Sequence, residues 1–245
     1  KKVFTWKNGR ELATYSDGNK NLSFKYDFNG VRTSKIVNGV ETKYYVENNK
    51  IIFEDRNGDV LYYFYSGDEL LGFVYKDEIY FYRKNVFGDI VAILDSSCNE
   101  IVTYEYNSWG GLVSTNDKSG FYLGVINPFK YRSYYYDREM GLYYLNSRYY
   151  SPKMGRFINA DCFVSTGQNS IGHNMFAYCG NNPIMHIENG KRWKFNMKNV
   201  KKVVKHIFSE LKKVVKKGLN QIKRNIKTTN PKKQTNVKSS NTNIK

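Results

Sequence analysis

Residues 54–65 read EDRNGDVLYYFY, an Asn-Gly turn followed almost directly by a run of aromatic residues. Asn and Gly accept the positive φ that a tight hairpin turn needs. An aromatic run suits a strand whose side chains pair with those of its neighbour. Turns and runs of this kind recur along the first half of the chain, so they predict a sheet of successive antiparallel hairpins.

The turns share a loose repeat in which an Asp or Asn stands three residues before a Gly. Shorter Asn-Gly and Asp-Gly turns lie between these phrases, and no helical periodicity appears before residue 190. We therefore predict that residues 1–126 form an antiparallel meander. The four phrases are YDFNG (26–30), EDRNG (54–58), KNVFG (84–88) and YNSWG (106–110).

The charge of the chain is concentrated at its end. The whole chain has 39 Lys and Arg against 22 Asp and Glu. Residues 191–245 hold 18 basic residues and one acid, a net of 18 − 1 = +17, and residues 1–190 hold the remaining 21 of each sign. All 22 tyrosines lie before residue 191. This change in composition predicts a boundary near Gly190.

The cysteines and histidines indicate neither a disulfide framework nor a metal site, and we expect no cofactor. The three cysteines lack CxxC spacing and are predicted to be buried or half-buried thiols. The histidines lack metal-ligand spacing. These residues are Cys98, Cys162 and Cys179, and His173, His186 and His206.

No signal peptide or run of membrane-span length is present in the sequence, and it opens on Lys1 in mid-pattern. We therefore expect a fragment or a processed product.

The phrases at 26–35, 86–110, 131–161 and 174–184 resemble the YD-repeat proteins, and the last two together resemble the RHS repeat-associated core domain. The resemblance covers about residues 3–190. It implies that hairpins wind into a hollow β-shell, closed at one end by the core domain, with a variable C-terminal segment, often a toxin, held inside. Such proteins are usually secreted or displayed on bacterial cell surfaces, and many serve in competition. The phrases are YDFNGVRTSK (26–35), VFGDIVAILDSSCNEIVTYEYNSWG (86–110), YRSYYYDREMGLYYLNSRYYSPKMGRFINAD (131–161) and NMFAYCGNNPI (174–184).

The predicted fold is therefore mostly β, an antiparallel hairpin meander that forms part of a shell, with a core-domain plug and a C-terminal amphipathic helix. The predicted domains are residues 1–126 as shell, residues 127–190 as core domain and residues 191–245 as a variable tail. The chain is too short for a whole shell, so it would be the C-terminal end of one, and the missing N-terminal shell would be a partner.

The many tyrosines favour a structural role, because each ring buries apolar surface while its hydroxyl finds a polar partner or water. A thin β-wall needs such side chains. The alternative is a platform on which carbohydrates or bases stack, but that would need a groove.

The resemblance also implies a site, since in many members the core domain is an aspartic-type autoprotease. Arg148 opens RYYSP and Asp161 ends GRFINAD, and both match the family pattern. Glu188 stands where the second Asp belongs, and Asn189 replaces the following Pro. Because a carboxylate dyad must share one proton, the longer Glu disfavours it. We expect weak or absent autocleavage, with Arg148 and Asp161 as a buried ion pair.

The tail is predicted to hold an amphipathic helix over residues 197–227 and disorder over residues 228–245. Three partners are considered for the helix. Docking on the shell or on another protein is favoured, an anionic membrane comes next, and nucleic acid is less favoured. An enzymatic toxin is disfavoured, because residues 191–245 contain one acid, one His and no Cys or Tyr.

The function predicted from these features is encapsulation and presentation of the tail, in bacterial competition or toxin delivery, with an immunity protein as a further partner. A self-cleaving autoprotease and a surface adhesin or scaffold without toxic cargo are the alternatives.

Overall fold

Residues 3–117 form one antiparallel sheet of twelve strands in chain order, each hydrogen-bonded to the next. This arrangement confirms the predicted meander. The strands are β1 (Val3–Lys7), β2 (Glu11–Ser16), β3 (Asn21–Tyr26), β4 (Arg32–Val37), β5 (Val40–Glu47), β6 (Lys50–Arg56), β7 (Asp59–Ser66), β8 (Glu69–Tyr75), β9 (Glu78–Lys84), β10 (Ile90–Leu94), β11 (Glu100–Tyr106) and β12 (Leu112–Asp117).

The computed structural model describes residues 1–160 and 174–185. Asp161, Glu188 and the tail, with its predicted helix at 197–227 and predicted disorder at 228–245, lie outside the described residues. Among the helices of the described part, none has the length and apolarity needed to cross a membrane.

Buried and exposed side chains alternate along the strands, because one face of the sheet is covered and the other is open to solvent. On β7, Leu61 and Tyr63 are buried, whereas Tyr62 between them is 40% exposed. Successive side chains of a strand point to opposite faces, so Leu61 and Tyr63 define the inner face. Residues 127–160, here called the cap segment, share one hydrophobic cluster with this face.

The cap segment follows a single helical turn, α1 (Leu123–Ile126), and contains a small antiparallel sheet. A short 3₁₀ helix, Tyr131–Ser133, precedes this sheet, and a second, Cys179–Asn181, lies in the later described segment. The strands of the small sheet are β13 (Tyr135–Asp137), β14 (Leu142–Leu145), β15 (Arg148–Ser151) and β16 (Arg156–Phe157).

Three of the four turn phrases form the same loop. Asn85 Oδ1 accepts the backbone N–H groups of Phe87 and Asp89, at 2.9 and 3.0 Å. The side chains of Asp27 and Asn107 make the same pair of bonds. The phrase at 54–58 is different, because its turn is the two residues Asn57 and Gly58, both at positive φ.

A fourth loop of this kind, which the sequence pattern missed, starts at Asp95. Its fourth position is Cys98, with a φ of 67°, where the other loops have Gly. Cys98 is exposed, so the prediction of a buried or half-buried thiol is wrong for this residue because the turn directs it to solvent. Cys179 is buried as predicted, and Cys162 lies outside the described residues.

The tyrosines of the cap segment hold the β11–β12 turn by its carbonyl oxygens. Tyr131 Oη donates to Ser108 O at 3.2 Å, and Tyr150 Oη donates to Trp109 O at 2.8 Å. Tyr143 Oη donates to the third carbonyl, that of Gly110, at 2.8 Å. A Cβ on Gly110 would lie 2.4 Å from the Tyr131 ring, so only glycine allows this approach.

Candidate functional site

Arg148, the only predicted site residue within the described ranges, starts β15. Its guanidinium lies 3.7 Å from the centroid of the Phe157 ring, on the paired strand β16. A cation over an aromatic face is attracted by the ring quadrupole. The side chain is half-buried and held by a ring that belongs to the GRFINAD phrase itself.

Asn159 fixes the rest of that phrase beside Arg148. Asn159 Oδ1 accepts the N–H of Tyr149 at 2.8 Å, and its Nδ2 donates to Ser147 O at 3.1 Å. The backbone N–H of Ile158 also donates to Tyr149 O. The structure therefore places residues 156–159 of the GRFINAD phrase alongside the strand that carries Arg148. Asp161 and Glu188 are outside the described residues, so no carboxylate dyad is described.

The strongest electrostatic feature is a buried cluster that was not predicted from the sequence. Asp137 is fully buried and forms ion pairs with two cations of β4, Arg32 Nη1 at 2.5 Å and Lys35 Nζ at 3.1 Å. Lys35 also reaches Glu139 at 2.9 Å. The side chains of Arg32 and Lys35 are 1% and 6% exposed.

Aromatic rings surround the Arg32 guanidinium and exclude water from the pair. The ring centroid of Tyr144 lies 4.2 Å away and that of Tyr44 lies 4.9 Å away, with Tyr135 and Phe24 further out. Burial raises the pKa of Asp137, but the charges of Arg32 and Lys35 more than offset this and hold it below its usual value. The cluster is therefore ionised at neutral pH. A permanently charged pair of this kind is suited to holding the cap segment on β4, not to transferring a proton.

A second buried acid, Glu54 on β6, is held by the same two layers. It accepts hydrogen bonds from Arg56 Nη2 at 2.6 Å, from Tyr135 Oη at 2.6 Å and from Tyr63 Oη. Burial raises the pKa values of Tyr63 and Tyr135, which therefore stay protonated and act as donors. Glu54 thus links the inner face of the sheet to β13.

Lys130 has a buried amine that contacts two carbonyls and an aromatic ring. Its Nζ donates to Gly124 O at 2.8 Å and to Asn127 O at 3.0 Å, and lies 4.1 Å from the Tyr104 ring centroid. Burial, followed by repulsion from Arg138 and Arg56, lowers the pKa of Lys130 to about 7. The amine is therefore buried near the start of the cap segment.

A groove of about 470 Å³ lies beside the β15–β16 turn. It is open to solvent and has cations, amides and aromatic rings in its walls. Within the described residues, no group of three or more His, Cys, Asp or Glu side chains could hold a metal ion. The groove is lined by Trp109, Pro152, Lys153, Met154, Gly155, Arg156, Asn174, Phe176, Ala177 and Asn181.

The buried cluster had one sequence signal that could have revealed it. Arg32 and Lys35 follow the YDFNG turn, in a strand where charged residues occupy buried positions. A charge at a buried strand position needs a partner of opposite sign. The identity of that partner, Asp137, was not deducible, because it lies 105 residues from Arg32.

Comparison with known proteins gives a sequence relationship over half of the chain. The tRNA3(Ser)-specific nuclease WapA of Bacillus spizizenii and the tRNA nuclease WapA of Bacillus subtilis strain 168 are each 37% identical to it over 120 residues, 49% of this chain. The chain spans about 5% of the length of these relatives. No family model matches the sequence.

The fold is similar to part of solved TccC3-containing structures, one of which is the Tc holotoxin pore of Photorhabdus luminescens, with a TM-score of 0.58 at 18% identity. The TcdB2-TccC3-Cdc42 crystal structure superposes with a TM-score of 0.61 at 18% identity, over 76% of this chain and 10% of that one. At this identity the similarity concerns the fold alone. The chain is thus similar in sequence to WapA nucleases over about half of its length, and similar in fold to a TccC3-containing structure.

Proposed function

We propose that this chain is the C-terminal part of an RHS/YD-repeat protein of the toxin type, in which the sheet and cap segment hold and present the C-terminal tail. Residues 1–126 would be shell wall, residues 127–190 the RHS repeat-associated core domain and residues 191–245 the variable segment. The similarity to WapA nucleases and to the TccC3-containing structure supports the toxin context.

The observation that carries this proposal is the buried Asp137 cluster between the cap segment and β4. Breaking a buried ion pair by removing one partner costs about 3–5 kcal/mol, because a charge is left uncompensated. A joint of this strength favours a cap segment that stays on the sheet. The segment that follows the cap segment and leads to the tail would then begin at a fixed position on the sheet.

The tail would be the cargo or the docking element. Its net charge of 18 − 1 = +17 over residues 191–245 favours an acidic partner. We propose docking on the shell or on a partner protein first, an anionic membrane through residues 197–227 second and nucleic acid last. An immunity protein would be expected where the tail is toxic.

The test compares bacterial growth and membrane potential after induced expression of the full chain, of residues 191–245 alone, and of a matched tail control. The control replaces Val203, Ile207 and Leu211 with Ser, which keeps every charge but removes the apolar face. Growth arrest with depolarisation by the tail alone, and not by the full chain or the control, would make the tail a membrane-active cargo. Equal growth with the full chain and the free tail would overturn the encapsulation of a toxic cargo and favour an adhesin or scaffold.

A second candidate activity is aspartic-type autocleavage by Arg148, Asp161 and Glu188. The observation that supports it is the contact of Asn159, two residues before Asp161, with the strand of Arg148. Against it, Glu188 is one methylene longer than Asp, and a displacement of about 1 Å costs on the order of 100-fold in rate. We therefore propose that autocleavage is weak or absent and that the tail stays attached.

Secretion or display on the surface of a bacterial cell follows from the same resemblance and is part of this proposal. Fractionation of the producing cells, with detection of the tail in medium, envelope and cytoplasm, tests it.

A further inference from the structure

Arg132, a residue outside the predicted site, is tied to the sheet at the β9–β10 turn. Its backbone N–H donates to Asp89 Oδ1 at 2.9 Å, and its Nε lies 3.5 Å from the same oxygen. Its Nη1 donates to Phe87 O at 3.3 Å. Only 4% of the side chain is exposed. One edge of the guanidinium is therefore fixed to the turn that joins β9 and β10.

The other edge of the same guanidinium holds the last described segment of the chain. Arg132 Nη2 donates to Pro183 O at 2.5 Å, across 51 residues of sequence. Pro183 is two residues before Met185, after which the chain continues toward the tail. A planar guanidinium presents several donors in fixed directions, so one Arg can bridge backbone segments that lie on its two sides, whereas the donors of a Lys all lie on one atom.

The backbone around Arg132 is strained in a way that keeps this bridge in place. Arg132 and Ser133 both lie in the left-handed region, with φ of 54° and 56°. Such conformations persist in non-glycine residues only where the surroundings enforce them. Ser133 Oγ donates to Gly88 O at 3.0 Å, which fastens the turn to the sheet a second time.

We propose that Arg132 is a positioning residue for the C-terminal tail, because its guanidinium ties Pro183 to the β9–β10 turn and so sets where the chain leaves the cap. Tyr178, whose ring centroid lies 4.0 Å from that of Tyr150, anchors the earlier part of the segment independently. Loss of the guanidinium therefore releases residues 181–185 and leaves residues 176–179 in place. Only the significance of the exit point for the tail rests on the proposed function.

The experiment is amide hydrogen exchange on the full 245-residue chain, comparing Arg132→Met, Arg132→Lys and the control Arg138→Met. Arg138 is an exposed arginine of the same cap segment. The reporting amides are those of Asn181 and Asn182, which donate to Tyr178 O and Cys179 O. We expect exchange at these amides to quicken about 10-fold or more in Arg132→Met. Arg132→Lys should give a smaller increase, and the amides of β13–β15 should be unchanged.

Unchanged exchange at 181–185 in Arg132→Met would overturn the inference. An equal increase across the cap segment and the sheet would also overturn it, since that marks general destabilisation. If Arg132→Met does not fold, Arg132→Lys decides by the same comparison of 181–185 with β13–β15. The growth comparison of full chain and free tail is independent, so failure of the proposed function leaves this result interpretable.

Discussion

Asp137 attaches the cap segment to the sheet, because two cations of one strand converge on it. Arg32 and Lys35 are three residues apart on β4, and both reach the carboxylate from the inner face. Neither cation can regain water without the cap segment lifting off. Removal of the carboxylate therefore leaves the buried Arg32 without an acidic partner and Lys35 with Glu139 alone.

Asp137→Asn is expected to lower the free energy of unfolding by about 3–5 kcal/mol, measured by urea denaturation at neutral pH. The substitution keeps the size of the side chain, removes its charge and replaces one acceptor oxygen by an NH2 donor that faces Arg32 or Lys35. The control is Glu41→Gln, which breaks the exposed pair with Lys25, 3.2 Å away, and should cost less than about 1 kcal/mol. Equal losses in the two variants would show that the buried cluster does not hold the cap segment.

Lys130 makes stability depend on pH just above neutrality. Its pKa is about 7 in the folded chain and returns to about 10.4 on unfolding. Between these values the unfolded state binds more protons, so stability rises with pH, by at most about 1.4 kcal/mol per pH unit. Lys130→Met should flatten the curve of unfolding free energy between pH 7 and 8, measured in urea. A slope unchanged from the wild-type chain would contradict this assignment.

The turn is the element that organises the sheet, and its chemistry is local. In the loops at Asp27, Asn85 and Asn107, one side-chain oxygen accepts two backbone N–H groups within four residues. This explains the spacing of Asp or Asn to Gly in these phrases. The loop after Asp55 differs, because Asn57 and Gly58 form a two-residue hairpin turn there.

The strands on either side of β8 leave no room for a side chain at Gly72. A Cβ added to Gly72 would lie 2.1 Å from Tyr80 O, a backbone atom of β9, and 2.6 Å from the tip of the Phe64 ring on β7. The ring could move aside, but the carbonyl belongs to the sheet. The limit on this position is therefore the backbone of the neighbouring strand.

Gly72→Ala is expected to destabilise the chain by about 1–3 kcal/mol, measured as a lower midpoint of thermal unfolding. A double-mutant cycle with Phe64→Leu separates the two obstacles. If the backbone is limiting, shortening the ring will not restore the stability of Gly72→Ala. Full rescue by Phe64→Leu would instead identify the ring as the obstacle.

At the scale of the molecule, the tyrosines pack with their rings and form hydrogen bonds with their hydroxyls. Their rings fill the cluster between sheet and cap segment. Their hydroxyls meet the carbonyls of Ser108, Trp109 and Gly110, or the carboxylate of Glu54. The outward-facing rings of Tyr45 and Phe53 stack on each other at 3.9 Å. This stack covers one face of each ring and leaves Tyr45 48% exposed.

The purified chain is expected to remain whole, with an intact mass of 28.7 kDa after prolonged incubation. The reason is the geometric intolerance of a carboxylate dyad toward Glu188. Mass spectrometry of the wild-type chain and of Asp161→Asn is the measurement. A break between residues 190 and 195 that appears only in the wild-type chain would contradict the prediction and establish autocleavage.

Short-range chemistry made the meander predictable. Positive-φ Asn-Gly pairs, side chains that close loops within four residues and the alternation of apolar positions all act along the chain, so their pattern indicated strands and turns directly. Arg148 and the phrase that follows it were identified differently, from their resemblance to a family motif, and their role as a site stays a prediction.

The joint between cap segment and sheet depended on long-range packing. Arg32 meets Asp137 across 105 residues, Tyr135 meets Glu54 across 81 and Arg132 meets Pro183 across 51. Each polar group could pair with many others in an extended chain. Which partner it takes is settled when packing removes water from both, since a buried charge or donor without a partner is costly.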